Sequence, residues 1–428
     1  MARGRIVIES GRIVRVEDAL PSLGAPPAAA PAPLFREAIV DTVDASACLV
    51  MPGLINGHTH LWLSLLRGRL DDLSLFPWLQ ALAPPAGALS DDDILNATRI
   101  GVAESLKSGT TCLCECCRYA PDLAAQVAGE LGTRVVVGGT PPTELFGAPV
   151  PHDYPRLVSV TRQTALAYRH GHSPVSLWLG AHSPYNCSSD FLRDAKRQAT
   201  AHGYDFYIHL AECRDEVTLI QERYRKTPVQ YVADLGLLDE RTVAIHCVWL
   251  TEDDIALFRQ SGARMAHCPV SNAKLGSGVA PVTAYRKAGI PVGLGTDSMV
   301  SNNTLSMFQE MRFAVLLQRA VRRDAAALVA ADALRMATID AARILGLDRE
   351  IGSIEVGKKA DLILLRLPHP GPWSRELAVS HVVYATHRDE IEAVYVEGER
   401  VVHQGRLTRD TGAMERAPME GGRRRGRG

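Results

Sequence analysis

The sequence has no apolar run of about 18 residues, the length a membrane-spanning helix needs. Its opening residues, MARGRIVIESGRIVRVED, lack the apolar h-region of a signal peptide, so a cytoplasmic location is expected. Charge of one sign is also missing: 47 basic residues stand against 48 acidic ones in a chain of 428. That balance excludes a simple electrostatic nucleic-acid binder. Disorder is excluded as well, because 46% of residues are hydrophobic and only 22% charged. Nine cysteines form an odd set without an export signal, which favours reduced thiols over a disulfide scaffold.

What is present is a regular alternation. Apolar runs occur at 53–60, 110–116, 134–139, 176–182, 205–211, 242–248, 264–268 and 291–297, most of them followed by a segment with helical spacing. The clearest helix is expected over 91–107, with Ser90 as its N-cap and Gly109 just past its end. Segments 189–201, 252–260 and 304–321 repeat the pattern. Eight strands alternating with helices predict an α/β fold, a (β/α)8 TIM-like barrel over residues 52–351. An open dinucleotide-binding sheet would need a Gly-rich turn after its first strand, and His-Thr-His stands there instead.

The chain ends read differently. Short strands are expected within 5–17, 41–50, 360–366, 391–396 and 399–402. They predict one small β-sandwich domain assembled from residues 1–51 and 352–414. The Pro/Ala-rich stretch 21–33 reads as an exposed loop, and the Gly/Arg-rich tail 415–428 as disordered.

The chemistry begins at His58-Thr59-His60, because alternate strand residues share a face and two imidazoles can reach one ion. Alone, this pair is a weak signal, read more readily as two surface or core histidines than as a metal site. Other expected barrel strands also end in ligand-type residues: His209 and Glu212 after the fifth, His246 after the sixth, Asp297 after the eighth. Barrel active sites lie at those C-terminal ends, so the four ends would converge. Cys112, Cys114 and Cys116 alternate on the expected second strand and read as small apolar fillers, with Cys117 completing the run and a second metal or a redox role as the other reading.

The runs PGLINGHTH, HLAE, HCVWL, HCPVSN and GTDSMVSNN resemble the amidohydrolase superfamily, in its cytosine deaminase-like and chlorohydrolase-like branch, which includes methylthioadenosine/S-adenosylhomocysteine deaminases. The similarity continues through LLRGRLDDLSLFPWL, AHSPYNCSS and IGSIEVGKKADLILL and covers nearly the whole chain. It implies one divalent ion, most often Zn²⁺ with Fe²⁺ as the other option, held by His58, His60, His209 and Asp297. Glu212 would then be the proton shuttle and His246 would orient the attacking water. Three imidazoles and a carboxylate suit such an ion and leave a position for water. Binuclear relatives carry a bridging lysine on the fourth strand, and SLWLGAHSPYN has none. The deaminases of single-stranded nucleic acid use H-x-E with P-C-x-x-C, which is absent in working arrangement.

The expected function is therefore hydrolytic deamination of an amino-substituted N-heterocycle, a purine, pterin or related nucleoside. The same ligands would serve a hydrolase that displaces chloride or alkylamine from a triazine, or opens a cyclic amide or guanidine. A catalytically silent ligand-binding barrel is the non-enzymatic alternative. Expected substrate contacts are His182, Trp78, Ser301 and Asn302, with helix capping as the other reading of Asn302 and core packing of Trp78. Two departures bear on the substrate. Adenosine-type members carry an acidic residue shortly after the equivalent of Trp78-Leu79, where Gly87 falls here, and the basic residues expected in the third-strand loop are not evident in TPPTELFGAPVPHD. Both count against methylthioadenosine and S-adenosylhomocysteine. The N-terminus also starts late, without the family's usual first hairpin strand. A small-molecule substrate, no nucleic acid, no membrane and a homo-oligomer of two or more chains complete the expectations.

Overall fold

The computed structural model describes residues 3–19, 41–117, 119–150, 152–168, 174–369 and 373–409. The stretch 21–33 and the tail 415–428 lie outside the described residues. Eight parallel strands form the central sheet, in the order in which they occur along the chain. The first (Leu54–His60) pairs with the second (Thr110–Cys117), which pairs with the third (Arg134–Gly139). The fourth (Val175–Gly180), fifth (Asp205–Leu210), sixth (Thr242–His246) and seventh (Arg264–His267) continue the ladder.

The eighth strand differs from its expected form because it is broken. Val292–Leu294 pairs with the seventh strand, while Asp297–Ser298 pairs with the first, Asp297 opposite Thr59. Gly295 and Thr296 make the crossing, donating to the carbonyls of His267 and His58. The break thus joins both edges of the sheet and closes the barrel. Gly295 is required there: a Cβ would lie 2.8 Å from the backbone nitrogen of His58.

Alternation along the strands fills the barrel. Ile55, Cys112, Cys114, Val136, Trp178, Tyr207, Val243 and Ile245 are buried in one cluster, with Trp178 stacked on Tyr207 at 4.3 Å between ring centroids. The alternate cysteines therefore act as small fillers beside two large rings, as their spacing predicts. Gly138 makes room for that arrangement, since a Cβ there would sit 2.2 Å from the carbonyl oxygen of Trp178. The helices cover the outside. Asp91–Lys107 starts on a Ser90/Asp93 capping box, which satisfies otherwise unpaired N–H groups of its first turn.

The chain ends build antiparallel sheets, as expected, with two differences. Strand structure begins at Cys48 rather than 41; Cys48–Pro52 pairs with Leu362–Arg366, and Ile391–Val396, Glu399–His403 and Arg406–Leu407 follow. The second correction concerns the N-terminal hairpin, which is present: Arg3–Glu9 pairs with Arg12–Ala19 around a turn at Ser10-Gly11. Ile13 anchors the hairpin, fully buried against Ala360 and Leu362, and its N–H donates to the Lys358 carbonyl. The strand Cys48–Pro52 runs almost directly into the first barrel strand, so the composite sheet clamps the base of the segment carrying His58 and His60. Arg134 adds a buried tie, contacting Asp361 at 3.2 Å and Glu397 at 2.9 Å. Among the described residues, no helix is long and apolar enough to cross a membrane.

Candidate active site

The strand ends expected to converge do so. His58 and His60 leave the first strand, His209 the fifth, His246 the sixth and Asp297 the eighth, all at the C-terminal mouth of the barrel. Three of the turning points are backbone outliers. Ala211, His246 and Asp297 have φ of 50°, 72° and 60°, a left-handed conformation that costs non-glycine residues energy and is common at functional sites.

The protonation pattern of the imidazoles follows from their outer partners. His60 Nδ1 lies 2.8 Å from the carbonyl oxygen of Cys116, and His209 Nδ1 lies 2.8 Å from that of His182. A carbonyl only accepts, so each Nδ1 must carry the hydrogen and each Nε2 the lone pair. Those two Nε2 atoms face one another at 3.4 Å. Two lone pairs in that position repel unless a cation lies between them. His58 is fully buried, and its Nδ1 has no hydrogen-bond partner among the described residues. Burial pushes its pKa down to about 4 and also lowers His60 and His209, keeping all three in the neutral, ligand-competent form. The donor set therefore fits a metal ion.

Asp297 supplies the negative charge. Its Oδ1 lies 3.4 Å from Nε2 of both His58 and His60. Burial alone would raise its pKa, but the imidazoles of His58, His60 and His246 outweigh this and hold it well below the usual carboxylate range. Its other oxygen accepts from Ser271 Oγ and Ser301 Oγ, both at 2.7 Å. Cys116 also reaches the group: its Sγ and the nearest ring nitrogens of His58, His60 and His209 all lie within 4.8 Å of one another. Burial keeps that thiol protonated, and it pairs with Thr140 Oγ1 at 2.8 Å. The strand spacing alone did not show that this filler lies beside the histidines.

Glu212 stands opposite, with Oε2 3.5 Å from His246 Nε2. Burial raises its pKa well above the usual range, and the carboxylates of Asp297 and Glu216 push it the same way, so it holds a proton at neutral pH. Two neighbours fix this pair. Glu216 accepts from the backbone N–H of Ala211 and of Glu212, each at 2.8 Å, which pins the loop after the fifth strand. Asn272 Oδ1 lies 2.9 Å from His246 Nδ1, leaving the Nε2 lone pair toward Glu212. Neither residue was singled out from the sequence. Their signals were Glu216 four residues after Glu212 and an Asn inside HCPVSN. Asn272→Ala should lower kcat by about 10- to 100-fold with little change in KM, read from steady-state rates.

A cavity of about 310 Å³ opens over these groups. His182 and Trp78 line it, and the His182 ring stacks on His209 at 5.0 Å. Ser301 and Asn302 do not lie on its wall. They are buried beneath Asp297, where Ser301 holds the carboxylate and Asn302 donates to the Thr296 carbonyl and to Glu310, both at 2.7 Å. Their short side chains are consumed by the turn that follows the broken strand. The far wall is the helix Leu75–Gly87, whose Leu75, Trp78, Leu82 and Ala86 recur on one buried face.

Comparison with known proteins agrees with this arrangement. The Amidohydrolase family model matches residues 49–401. A 5-methylthioadenosine/S-adenosylhomocysteine deaminase from Desulfitobacterium hafniense is 38% identical over 412 residues, covering 94% of this chain and 90% of that protein. An adenosine deaminase from Xanthomonas campestris, solved with bound zinc, superposes with a TM-score of 0.83 at 32% identity, covering 96% and 91% of the two chains. An atrazine chlorohydrolase from Arthrobacter aurescens, solved with zinc, shares the fold with a TM-score of 0.82 at 23% identity, covering 95% and 92%. Strand order, converging histidines and matched length lead to one conclusion: this chain is a member of the amidohydrolase family.

Proposed function

We propose that this hydrolase removes the exocyclic amino group of a nitrogen heterocycle (a purine, pterin or related nucleoside) as ammonia, with water as the other reactant. His58, His60, His209 and Asp297 would hold one divalent ion, and three imidazoles with a single carboxylate suit Zn²⁺. When bound, that ion lowers the pKa of a coordinated water toward about 7 and so supplies hydroxide at neutral pH. Asp297, ionised beside the histidines, is placed to take the water proton. Glu212, protonated and buried, is placed to give its proton to a ring nitrogen, which makes the adjacent carbon electrophilic. His246, with its proton directed to Asn272, presents a lone pair that orients the attacking water. After addition, the proton taken up by Asp297 passes to the amino group, C–N cleavage releases ammonia, and the proton of the added hydroxyl returns to Glu212 as the oxo heterocycle forms.

The observation that carries this reading is a carboxyl of raised pKa facing a carboxylate of lowered pKa across a cluster of neutral imidazoles. Such a separation of two acids assigns the donor and the acceptor. The relatives named as deaminases support the leaving group. A panel of aminopurines, their nucleosides, pterins and chloro- and amino-triazines, assayed for ammonia and for chloride, tests it. Ammonia from an amino-heterocycle is expected; chloride or alkylamine release alone would replace the amine as leaving group.

A further inference from the structure

Resting on that reading, we infer that the substrate is a neutral amino-heterocycle carrying an uncharged, largely apolar substituent, and that the site excludes an anionic or zwitterionic tail. The cavity lining is mostly apolar. Beyond the histidines and carboxyls at its floor, the wall is hydrocarbon: Leu75, Leu79, Leu82 and Ala86 of the helix Leu75–Gly87, faced by Leu145 and Val150. Among the described residues, no lysine or arginine lines it, and its only carboxyls are Glu212 and Asp297. A carboxylate, phosphate or ammonium lying along that wall would be stripped of water without a counter-ion.

A second observation concerns the polar groups that remain. Trp78, Tyr185 and Asn186 line the cavity and are buried. The Trp78 indole N–H and the Asn186 amide nitrogen have no hydrogen-bond partner among the described residues, and the Tyr185 phenol lies beside Ser183. All three side chains are uncharged, so none of them offers a counter-ion to a charged tail. They cannot supply the full charge that an anionic tail needs. Hydrocarbon wall and uncharged polar side chains together select by the absence of charge on the tail.

The 5-methylthioadenosine/S-adenosylhomocysteine deaminase relatives are named for a pair of compounds that isolates this point. Methylthioadenosine and S-adenosylhomocysteine share the adenine and ribose and differ in the tail, one a methylthio group and the other a zwitterionic amino acid. For the zinc-loaded holoenzyme, kcat/KM for ammonia release should favour methylthioadenosine by at least about 100-fold. Adenosine monophosphate should be at least as poor as S-adenosylhomocysteine. Gly87 closes the helix at the cavity, with no atom within 4 Å of the place its Cβ would take, so Gly87→Arg brings a cation to the cavity edge with no clash at Cβ. That variant should narrow the ratio at least about 10-fold.

A wild-type ratio near one, or a reversed one, would overturn the inference while leaving the deaminase reading intact. A ratio unchanged by Gly87→Arg would overturn it too, since the missing counter-charge would then not set the preference. No ammonia from either compound or from any amino-heterocycle would instead remove the deaminase reading itself.

Discussion

Glu212→Gln should slow ammonia release by about 10³-fold while the protein stays folded and keeps its metal content. The reason lies in what surrounds the carboxyl. It is 3% exposed and faces His246 at 3.5 Å, and burial together with Asp297 and Glu216 keeps it protonated. Glutamine preserves its shape and can still donate a hydrogen bond to a ring nitrogen. It cannot release a proton, so the ring carbon is not activated. Because binding contacts survive, KM should change little and the loss should fall on kcat. Steady-state rates, metal analysis and a thermal melt on the same preparation check the three parts. Unchanged turnover on the best substrate would remove Glu212 from the mechanism.

Chelating the metal should have the second large effect, reducing ammonia release below about 1% of the holoenzyme rate. The side chains explain why the apoprotein cannot compensate. The Nε2 atoms of His60 and His209 face each other at 3.4 Å with both hydrogens committed to carbonyls on the far side of the rings. Among the described residues, the cavity floor offers only weak bases: Asp297 is held well below the usual carboxylate range, and burial lowers His246. The same geometry predicts a lower Tm for the apoprotein, because the bound ion stabilises only the folded arrangement. Glu212→Gln and chelation therefore separate: the first should spare the melt, and the second should shift it.

Much of this centre was legible in the sequence because barrel geometry converts strand ends into one place. His58, His60, His209, His246 and Asp297 are each the last or nearly last residue of a strand-like run, and the fold brings such ends together. The cysteines of the second strand were legible for the same reason, through alternation. What escaped was whatever depends on turns. The break in the eighth strand at Gly295-Thr296 is invisible to periodicity, and it is what buries Ser301 and Asn302 beneath Asp297 and away from the cavity. The outer partners Glu216 and Asn272 escaped because their value comes from one hydrogen bond each side, not from spacing. The wall helix Leu75–Gly87 escaped because Pro84 and Pro85 in its last turn read as loop, although Leu75, Trp78, Leu82 and Ala86 carry a helical period.

The most direct test of a metal-dependent aminohydrolase is ammonia release measured as zinc is returned to the chelated protein, on the best substrate of the panel. Activity should rise linearly and level off at about one equivalent per chain, as expected for one ion held by three imidazoles and a carboxylate. Ammonia release that is the same before and after chelation, or that stays absent at full zinc occupancy, would contradict the account.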